Sequence, residues 1–161
     1  MEISLLDLFA GTGGFPLGLI RAGFTIKKHY FSEIDNQAIA NYSYNYKNAI
    51  YAGSIETIKK RTLEKPDIIT FGSPCQDLSI AGKRRGLKGS KSRLFFEAIR
   101  ILDLYKPRLF IFENVKGLFS SNQGKDFEVV LKSFADLGVY DMCDKKLLNF
   151  TVKWLKRTEP I

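Results

Sequence analysis

The strongest constraint on the fold of this chain is a repeated alternation between short apolar runs and longer segments with helical periodicity. The apolar runs have the length of buried β-strands and lie at residues 3–9, 26–32, 67–72 and 108–112. Apolar residues at helical spacing recur between and after these runs, at residues 17–23, 35–47, 92–106 and 124–137. Since parallel strands need crossover connections, the pattern predicts an α/β fold with an open, mostly parallel, doubly wound sheet, helices on both faces and right-handed crossovers.

Weaker patterns occupy the rest of the chain. We expect a short strand at residues 49–52, a modest helix at residues 56–63 and a last strand at residues 139–150. Residues 151–161 are basic and indicate no clear element.

Length and charge limit the class of protein. The 161 residues suit one globular domain, and the net charge of +8 predicts an anionic partner, most commonly nucleic acid. The N-terminus lacks a signal-peptide pattern and no apolar run reaches about 18 residues, so we expect a cytoplasmic protein without a membrane partner. Cys75, Cys143 and His29 are too few for a zinc cluster, so no metal is expected.

A glycine-rich turn at residues 10–14 joins the first predicted strand to the first helix. Glycines let a backbone approach a ligand closely, but such a turn also occurs wherever a strand and a helix pack tightly. Glu33 ends the second strand, about twenty residues later, where an acid reads ribose hydroxyls in nucleotide-binding α/β folds. Together these features favour an adenosine-type ligand. Asp35 is the expected N-cap of the next helix, in which Tyr42 and Tyr46 are interpreted as packing residues.

Cys75 follows the strand at residues 67–72 in a turn stiffened by Pro74. A thiol held at the carboxyl end of a buried strand suits a nucleophile, because the crevice beyond the sheet admits substrate. A free cysteine is more often structural, and the local residues alone favour that interpretation. Glu113, at the end of the strand at residues 108–112, either faces this thiol or acts as a cap or a salt-bridge partner.

Three motifs, taken in order, closely resemble those of the cytosine-C5 DNA methyltransferase family. They are Asp-Leu-Phe-Ala-Gly-Thr-Gly-Gly-Phe at residues 7–15, Pro-Cys-Gln at residues 74–76 and Glu-Asn-Val at residues 113–115. Shorter matches at residues 33–35, 79–83 and 93–97 extend the resemblance from about residue 3 to about residue 149. It implies the S-adenosylmethionine-dependent methyltransferase fold, with a cofactor-binding and catalytic core at residues 1–149.

The resemblance implies that Cys75 and Glu113 are the catalytic residues. The Cys75 thiolate would add to C6 of a cytosine and make C5 a nucleophile, while Glu113 would hydrogen bond to N3 or protonate it. C5 would then take the methyl group of S-adenosylmethionine, and S-adenosylhomocysteine would be the second product.

The resemblance also assigns a cofactor site without a metal. The cofactor-binding positions carry over onto Phe9, Gly11, Thr12, Gly13, Gly14, Glu33, Ile34, Ser54, Ile55 and Pro74. Glu33 would bind the ribose hydroxyls and Ile34 would lie against the adenine. Ser54 departs from the family, which usually has an acid there to bind the adenine amino group, and a serine accepts a weaker hydrogen bond.

Double-stranded DNA is the implied partner, and its cytosine must leave the base stack before C6 can be attacked. The basic loop at residues 83–91 matches the family segment that closes over the flipped base, although a solvated loop would have the same composition. The expected nucleic-acid contacts are Gln76, Ser79, Lys83, Arg84, Arg85 and Lys88, and the cations among them would hold phosphates without reading sequence.

The resemblance ends after residue 149. The family continues to a Gln-x-Arg-x-Arg motif, whereas residues 150–157 are Phe-Thr-Val-Lys-Trp-Leu-Lys-Arg. We therefore expect a divergent tail at residues 150–161 and no target-recognition domain. This pattern suggests a prematurely ended gene or one piece of a split enzyme that a second chain completes.

Two hypotheses from different classes follow. In the first, the chain methylates DNA cytosine, alone or with a complementing chain, and the intact Cys75 and Glu113 favour it. In the second, it is a non-catalytic remnant or a regulatory module that binds S-adenosylmethionine or nucleic acid without turnover, which the missing recognition half favours. Methylation of RNA is a weaker third hypothesis, since a basic surface does not distinguish RNA from DNA. A Rossmann dehydrogenase is a distant fourth, because Cys75 and Glu113 would have no purpose there.

Overall fold

The computed structural model describes residues 1–72, 90–138, 140–147 and 150–157. Within these residues the strands and helices follow in the order β1 (Glu2–Leu8), α1 (Gly14–Arg21), β2 (Thr25–Ser32), α2 (Asn36–Asn45), β3 (Ile50–Tyr51), β4 (Ile68–Gly72), α3 (Ser90–Tyr105), β5 (Leu109–Glu113), α4 (Lys125–Ala135), β6 (Tyr140–Leu147) and β7 (Phe150–Arg157).

All of these strands belong to one sheet, in the order β3-β2-β1-β4-β5-β7-β6. The pairs within β3-β2-β1-β4-β5 are parallel, and β7 pairs antiparallel with both β5 and β6. The strand order reverses between β1 and β4, and open α/β sheets bind ligands in the crevice outside the carboxyl ends of the strands at such a point. The predicted fold class, an open and mostly parallel doubly wound sheet, is confirmed.

The central strands are buried on both faces, as a doubly covered sheet requires. Alternate residues of β1, β4 and β5 enter two separate cores, because successive side chains of a strand point to opposite faces. One core includes Leu6, Leu8, Ile69, Phe71, Phe110 and Phe112 together with Phe95, Ala98 and Phe134 from α3 and α4. The opposite core includes Leu5, Ile68 and Ile111 together with Leu19 from α1.

Two predicted elements in the middle of the chain are wrong in detail. Instead of a helix at residues 56–63 there is a short 3₁₀ turn, Ile55–Thr57. The guanidinium of Arg100 donates hydrogen bonds to the carbonyl oxygens of Ile55 and Ile58, at 3.0 and 2.9 Å, and so occupies acceptors that a longer helix would use. Helix α3 begins at Ser90, two residues before the start of the predicted helical pattern at residue 92.

The C-terminal region also differs from the prediction. A single strand at residues 139–150 was expected, followed by a segment with no clear element, but residues 140–147 and 150–157 form the antiparallel pair β6 and β7. The sequence of β7 is rich in aromatic and apolar residues, which favour strands, and pairing with β5 satisfies an edge that would otherwise be open. The division of the chain into a core at residues 1–149 and a tail stays a prediction.

A network of buried polar side chains links the neighbouring strands β2, β1 and β4 with α2. Asp7 is fully buried in β1, and its two carboxylate oxygens accept hydrogen bonds from the hydroxyls of Thr70, at 2.7 Å, and Tyr42, at 3.1 Å. The Tyr42 hydroxyl also lies 2.7 Å from Nε2 of His29. Because the Tyr42 hydroxyl donates its hydrogen bond to Asp7, Nε2 of His29 is the donor of the bond to the Tyr42 oxygen. Each of these buried polar groups therefore has a hydrogen-bond partner.

The Asp7 carboxyl predicts a pH-dependent stability. Burial raises its pKa from 3.8 to about 7, against the hydrogen bonds from Thr70 and Tyr42, which lower it. A carboxyl whose pKa is higher in the folded state stabilises the fold at low pH, and this contribution is lost as the pH rises from about 4 to about 7. Asp7→Asn should remove that loss.

Urea denaturation across this pH range checks the prediction. The stability of the wild type should fall relative to Asp7→Asn by about 1.4 kcal/mol for each unit by which the pKa is raised. His29, whose pKa burial lowers to about 4, contributes with the opposite sign but is common to both proteins. A stability difference that does not change with pH would contradict the prediction.

Candidate active site

A cavity of about 380 Å³ opens at the carboxyl ends of the parallel strands. It is lined by Phe9, Ser32, Glu33, Ile34, Ser54, Ile55, Glu56, Gly72 and Leu94. Five of these, Phe9, Glu33, Ile34, Ser54 and Ile55, are cofactor positions expected from the sequence. The cavity thus joins three separate loops that follow β1, β2 and β3.

Glu33 is the most completely held side chain of the cavity. Its Oε2 accepts a hydrogen bond from the backbone N–H of Gly11 at 2.9 Å, and its Oε1 accepts from the N–H groups of Ile34, at 2.7 Å, and Asp35, at 3.1 Å. A carboxylate has about four acceptor positions. The carboxylate is therefore fixed in place by three backbone donors and retains acceptor capacity on Oε2 for a ligand hydroxyl.

The glycine turn between β1 and α1 has the backbone that its sequence predicts. Gly11 and Gly13 have φ values of 53° and 89°, in the left-handed region that glycine adopts without a steric penalty. Gly13 is buried, whereas Thr12 and Gly14 are exposed. Gly11 is connected to the cavity by its hydrogen bond to Glu33. The cavity lining does not include Thr12, Gly13 or Gly14.

Phe9 ends β1 with φ at 52°, a conformation that costs a residue with a side chain on the order of 1 kcal/mol or more. The chain turns there into the glycine loop, and the next N–H, that of Ala10, bonds to the carbonyl of Ser32 at 3.1 Å. The turn places Phe9 on the cavity wall.

The far side of the cavity contains an acid that the sequence reasoning missed. Ser54 caps the 3₁₀ turn, with Oγ accepting from the N–H of Glu56 at 3.4 Å, and the Glu56 carboxylate is paired with Arg93. Both Ser54 and Glu56 line the cavity. The sequence predicts Glu56 to lie in a helix. The only feature of the sequence that indicates its place in the cavity lining is its position two residues after the capping Ser54. Leu94, Ser32 and Gly72 were missed as well.

Glu113 lies one strand away, at the end of β5. It is the register partner of Gly72 at the end of β4, and a Cβ on Gly72 would lie 2.8 Å from Oε2 of Glu113. The missing side chain of Gly72 therefore makes room for the carboxyl. Burial raises the pKa of Glu113 from its usual value, which favours a carboxyl that holds its proton.

The remaining predicted positions lie outside the described residues. These are Pro74, Cys75, Gln76, Ser79, Lys83, Arg84, Arg85 and Lys88. Gly72 is the last described residue before them, three positions ahead of Cys75 in the sequence.

The described ranges contain neither a metal-binding cluster nor a membrane-spanning helix. Within them, no group of three or more histidine, cysteine, aspartate or glutamate side chains is placed to hold a metal ion. No helix in the same part of the chain is long and apolar enough to cross a membrane.

The sheet order is that of the S-adenosylmethionine-dependent methyltransferase fold. A solved structure with this fold belongs to a candidate DNA modification methyltransferase encoded within a prophage of E. coli; its TM-score with this chain is 0.74 at 21% identity, over 96% of this chain and 47% of that one. The chain belongs to the C-5 cytosine-specific DNA methylase family, whose family model matches residues 3–152.

Curated relatives agree with this assignment. The type II methyltransferase M.FnuDI of Fusobacterium nucleatum is 38% identical over 148 residues, which are 92% of this chain and 42% of the relative. The orphan methyltransferase M.Rho11sI of Bacillus phage rho11s is 36% identical over 150 residues, 92% of this chain and 29% of the relative. The chain therefore spans less than half the length of these relatives.

The contact between Gly72 and Glu113 predicts the effect of one added methyl group. Gly72→Ala should destabilise the fold by about 1–3 kcal/mol, because the new Cβ must displace the Glu113 carboxyl. The loss should be much smaller in a Glu113→Ala background, where the obstructing atoms are gone. Urea denaturation of the four proteins in this cycle measures both values.

Gly18→Ala is the matched control. A Cβ at Gly18 meets no heavy atom within 4 Å, and the residue lies in α1, where alanine is favoured over glycine by about 1 kcal/mol. An equal cost of Gly72→Ala with and without the Glu113 side chain would show that the carboxyl does not occupy this space.

Proposed function

We propose that this chain forms the cofactor-binding and catalytic part of an enzyme that transfers a methyl group from S-adenosylmethionine to C5 of cytosine in double-stranded DNA. The observation that carries the proposal is the pairing of Gly72 with Glu113 at the strand ends beside the Glu33 cavity. This arrangement puts a carboxyl of raised pKa next to the segment that leads to Cys75 and next to a nucleoside-sized cavity. Membership in the family supplies the reaction.

The residues of the cavity fit the nucleoside part of S-adenosylmethionine. The free acceptor capacity of Glu33 suits the two ribose hydroxyls, and Ile34, which is 71% exposed, offers an apolar surface to the adenine. Ser54 and Glu56 line the same cavity and provide acceptors for an amino group. The glycine turn would hold the methionine part, and the bound cofactor supplies an electrophilic methyl group.

Cys75 and Glu113 would carry the chemistry on the cytosine. As the bond from the Cys75 sulfur to C6 forms, the electrons of the C5–C6 double bond would shift to C5 and make it the nucleophile for the methyl group, whose bond to the cofactor sulfur would break. Glu113 would hold a proton at N3 and so reduce the negative charge that the ring gains. A base afterwards removes the C5 proton, the double bond returns and the carbon–sulfur bond breaks. The residue that acts as this base is not assigned.

The DNA contacts are proposed from the sequence and the charge. The net charge of +8 favours binding to a polyanion, and Lys83, Arg84, Arg85 and Lys88 would neutralise phosphates while the target base is turned out of the stack. Gln76 and Ser79 would lie near the flipped base. Cytosine recognition within a given target sequence would depend on regions that the longer relatives have beyond the matched part.

The first test is trapping of the covalent intermediate. Duplex DNA that contains 5-fluorocytosine should give an adduct with this chain and S-adenosylmethionine, because fluorine at C5 leaves no proton to remove and the carbon–sulfur bond persists. Denaturing gel electrophoresis should show the adduct with the wild type and not with Cys75→Ser, in the presence or absence of a chain that supplies the remaining family regions. Single-stranded RNA with the same base is the comparison that tests RNA methylation.

Each outcome of this experiment is decisive. An adduct with the chain alone would exclude a non-catalytic remnant, and an adduct only with the added chain would identify a split enzyme. No adduct in either mixture, with a folded protein, would contradict the proposed catalysis and leave the binding module. An adduct that persists in Cys75→Ser would refute the role of this cysteine.

The second test concerns the cofactor site. Glu33→Gln should weaken the binding of S-adenosylhomocysteine by about tenfold or more, because hydrogen bonds to a charged acceptor contribute about 1.5–3 kcal/mol. Isothermal titration calorimetry measures the affinity. Glu64→Gln is the control for the same change of charge, since Glu64 is an exposed partner of Lys28 and lies outside the cavity. Equal affinities of all three proteins would contradict the placement of the ribose at Glu33.

A further inference from the structure

A tyrosine at the C-terminal end of α2 donates a hydrogen bond to the backbone of the glycine turn. The hydroxyl of Tyr46, the residue that follows α2, donates a hydrogen bond of 2.6 Å to the carbonyl oxygen of Gly13. The same carbonyl is the first acceptor of α1, but its bond from the N–H of Leu17 is long, at 3.4 Å. The hydrogen bond from the Tyr46 hydroxyl is therefore the shorter and stronger of the two bonds that orient this carbonyl.

The Tyr46 ring also packs closely against the backbone of the glycine turn. A Cβ on Gly13 would overlap Cε2 of Tyr46, so the ring lies directly against the backbone at this position. Gly13 is buried and has φ at 89°, which makes glycine the residue that this contact and this conformation both require. The turn and the ring are thus fitted to each other.

The ring of Tyr46 is itself fixed by the buried network. Its centroid lies 4.9 Å from that of Tyr42 and 5.3 Å from that of His29, and both of those side chains belong to the hydrogen-bonded chain that ends on Asp7. Asp7 lies in β1, a few residues before the turn. The hydroxyl of Tyr46 therefore reaches Gly13 from a rigid support and has little freedom to follow a displaced turn.

The orientation of one carbonyl has a consequence for the next amide. Because the peptide bond is planar and trans, a Gly13 carbonyl that points to Tyr46 directs the N–H of Gly14 to the opposite side. Gly14 is the first residue of α1 and is exposed, and the N–H groups of a first helical turn have no partner within the helix. The phenol thus determines which way this donor faces.

We propose that Tyr46 is a positioning residue of the cofactor site, whose hydroxyl holds the peptide between Gly13 and Gly14 in the orientation that binds the methionine part of the cofactor. This inference rests on the proposed function, since it assumes that the turn binds S-adenosylmethionine. Tyr46 touches the turn and not the ligand, so it acts through the backbone. The Tyr42 and His29 rings and Asp7 act one step further away, by holding Tyr46.

The test removes the hydroxyl and keeps the ring. In Tyr46→Phe, the affinity for S-adenosylhomocysteine, measured by calorimetry at a temperature at which circular dichroism shows a folded protein, should fall about three- to tenfold, the loss expected for one neutral hydrogen bond. Amide hydrogen exchange at residues 11–14 should become faster in the unliganded variant. Tyr44→Phe is the matched control, because Tyr44 is 74% exposed in the same helix and should change neither property.

The possible results separate this inference from the function on which it rests. If the wild type does not bind S-adenosylhomocysteine, the proposed function fails. If the wild type binds and the folded Tyr46→Phe binds equally well, the proposed function stands and the positioning role is overturned. A Tyr46→Phe protein that does not fold at any temperature would also overturn it, because the hydroxyl would then serve the fold as a whole.

Discussion

The candidate site depends on one carboxylate that is held by backbone amides from two different loops. Glu33 accepts hydrogen bonds from Gly11, in the turn after β1, and from Ile34 and Asp35, after β2. These loops follow neighbouring parallel strands and are also joined by the backbone hydrogen bond from Ala10 to Ser32. The Glu33 side chain thus ties the two loops together while it keeps an acceptor position for a ligand. Replacing it would alter the shape of the site as well as its charge.

Carboxyl groups recur around this end of the sheet, and their surroundings separate their roles. Asp7 is enclosed, receives hydroxyl donors and has a raised pKa, so it serves the interior. Glu113 is half-buried at a strand end, where burial also raises its pKa and suits it to hold a proton. Glu56 is paired with Arg93 on the cavity wall. The same functional group thus differs in its pKa and in its partners according to what surrounds it.

Local pattern was enough to predict which residues follow the strands at the edge of the sheet where the candidate site lies. Glu33 was found from its place after an apolar run, because the position of a residue along a strand decides the edge at which it emerges. The hydrogen bond of the Tyr46 hydroxyl was not predicted, because its partner Gly13 is 33 residues away in the sequence. A helical pattern indicates only that the ring lies on the apolar face of the helix. Glu56 and β7 were missed for a related reason, because Arg93 and β5 are what define their environments.

The position of β7 inside the sheet bears on how the protein is made. Strand β5 carries Glu113 and pairs on one side with β4 and on the other with β7, whose residues are synthesised about forty positions later. While the ribosome is still producing those positions, β5 has an open edge that can pair with another nascent chain. The carboxyl of Glu113 thus belongs to a strand that acquires its second neighbour only after about forty further residues have been added, and slow translation through β6 would prolong its exposure to aggregation.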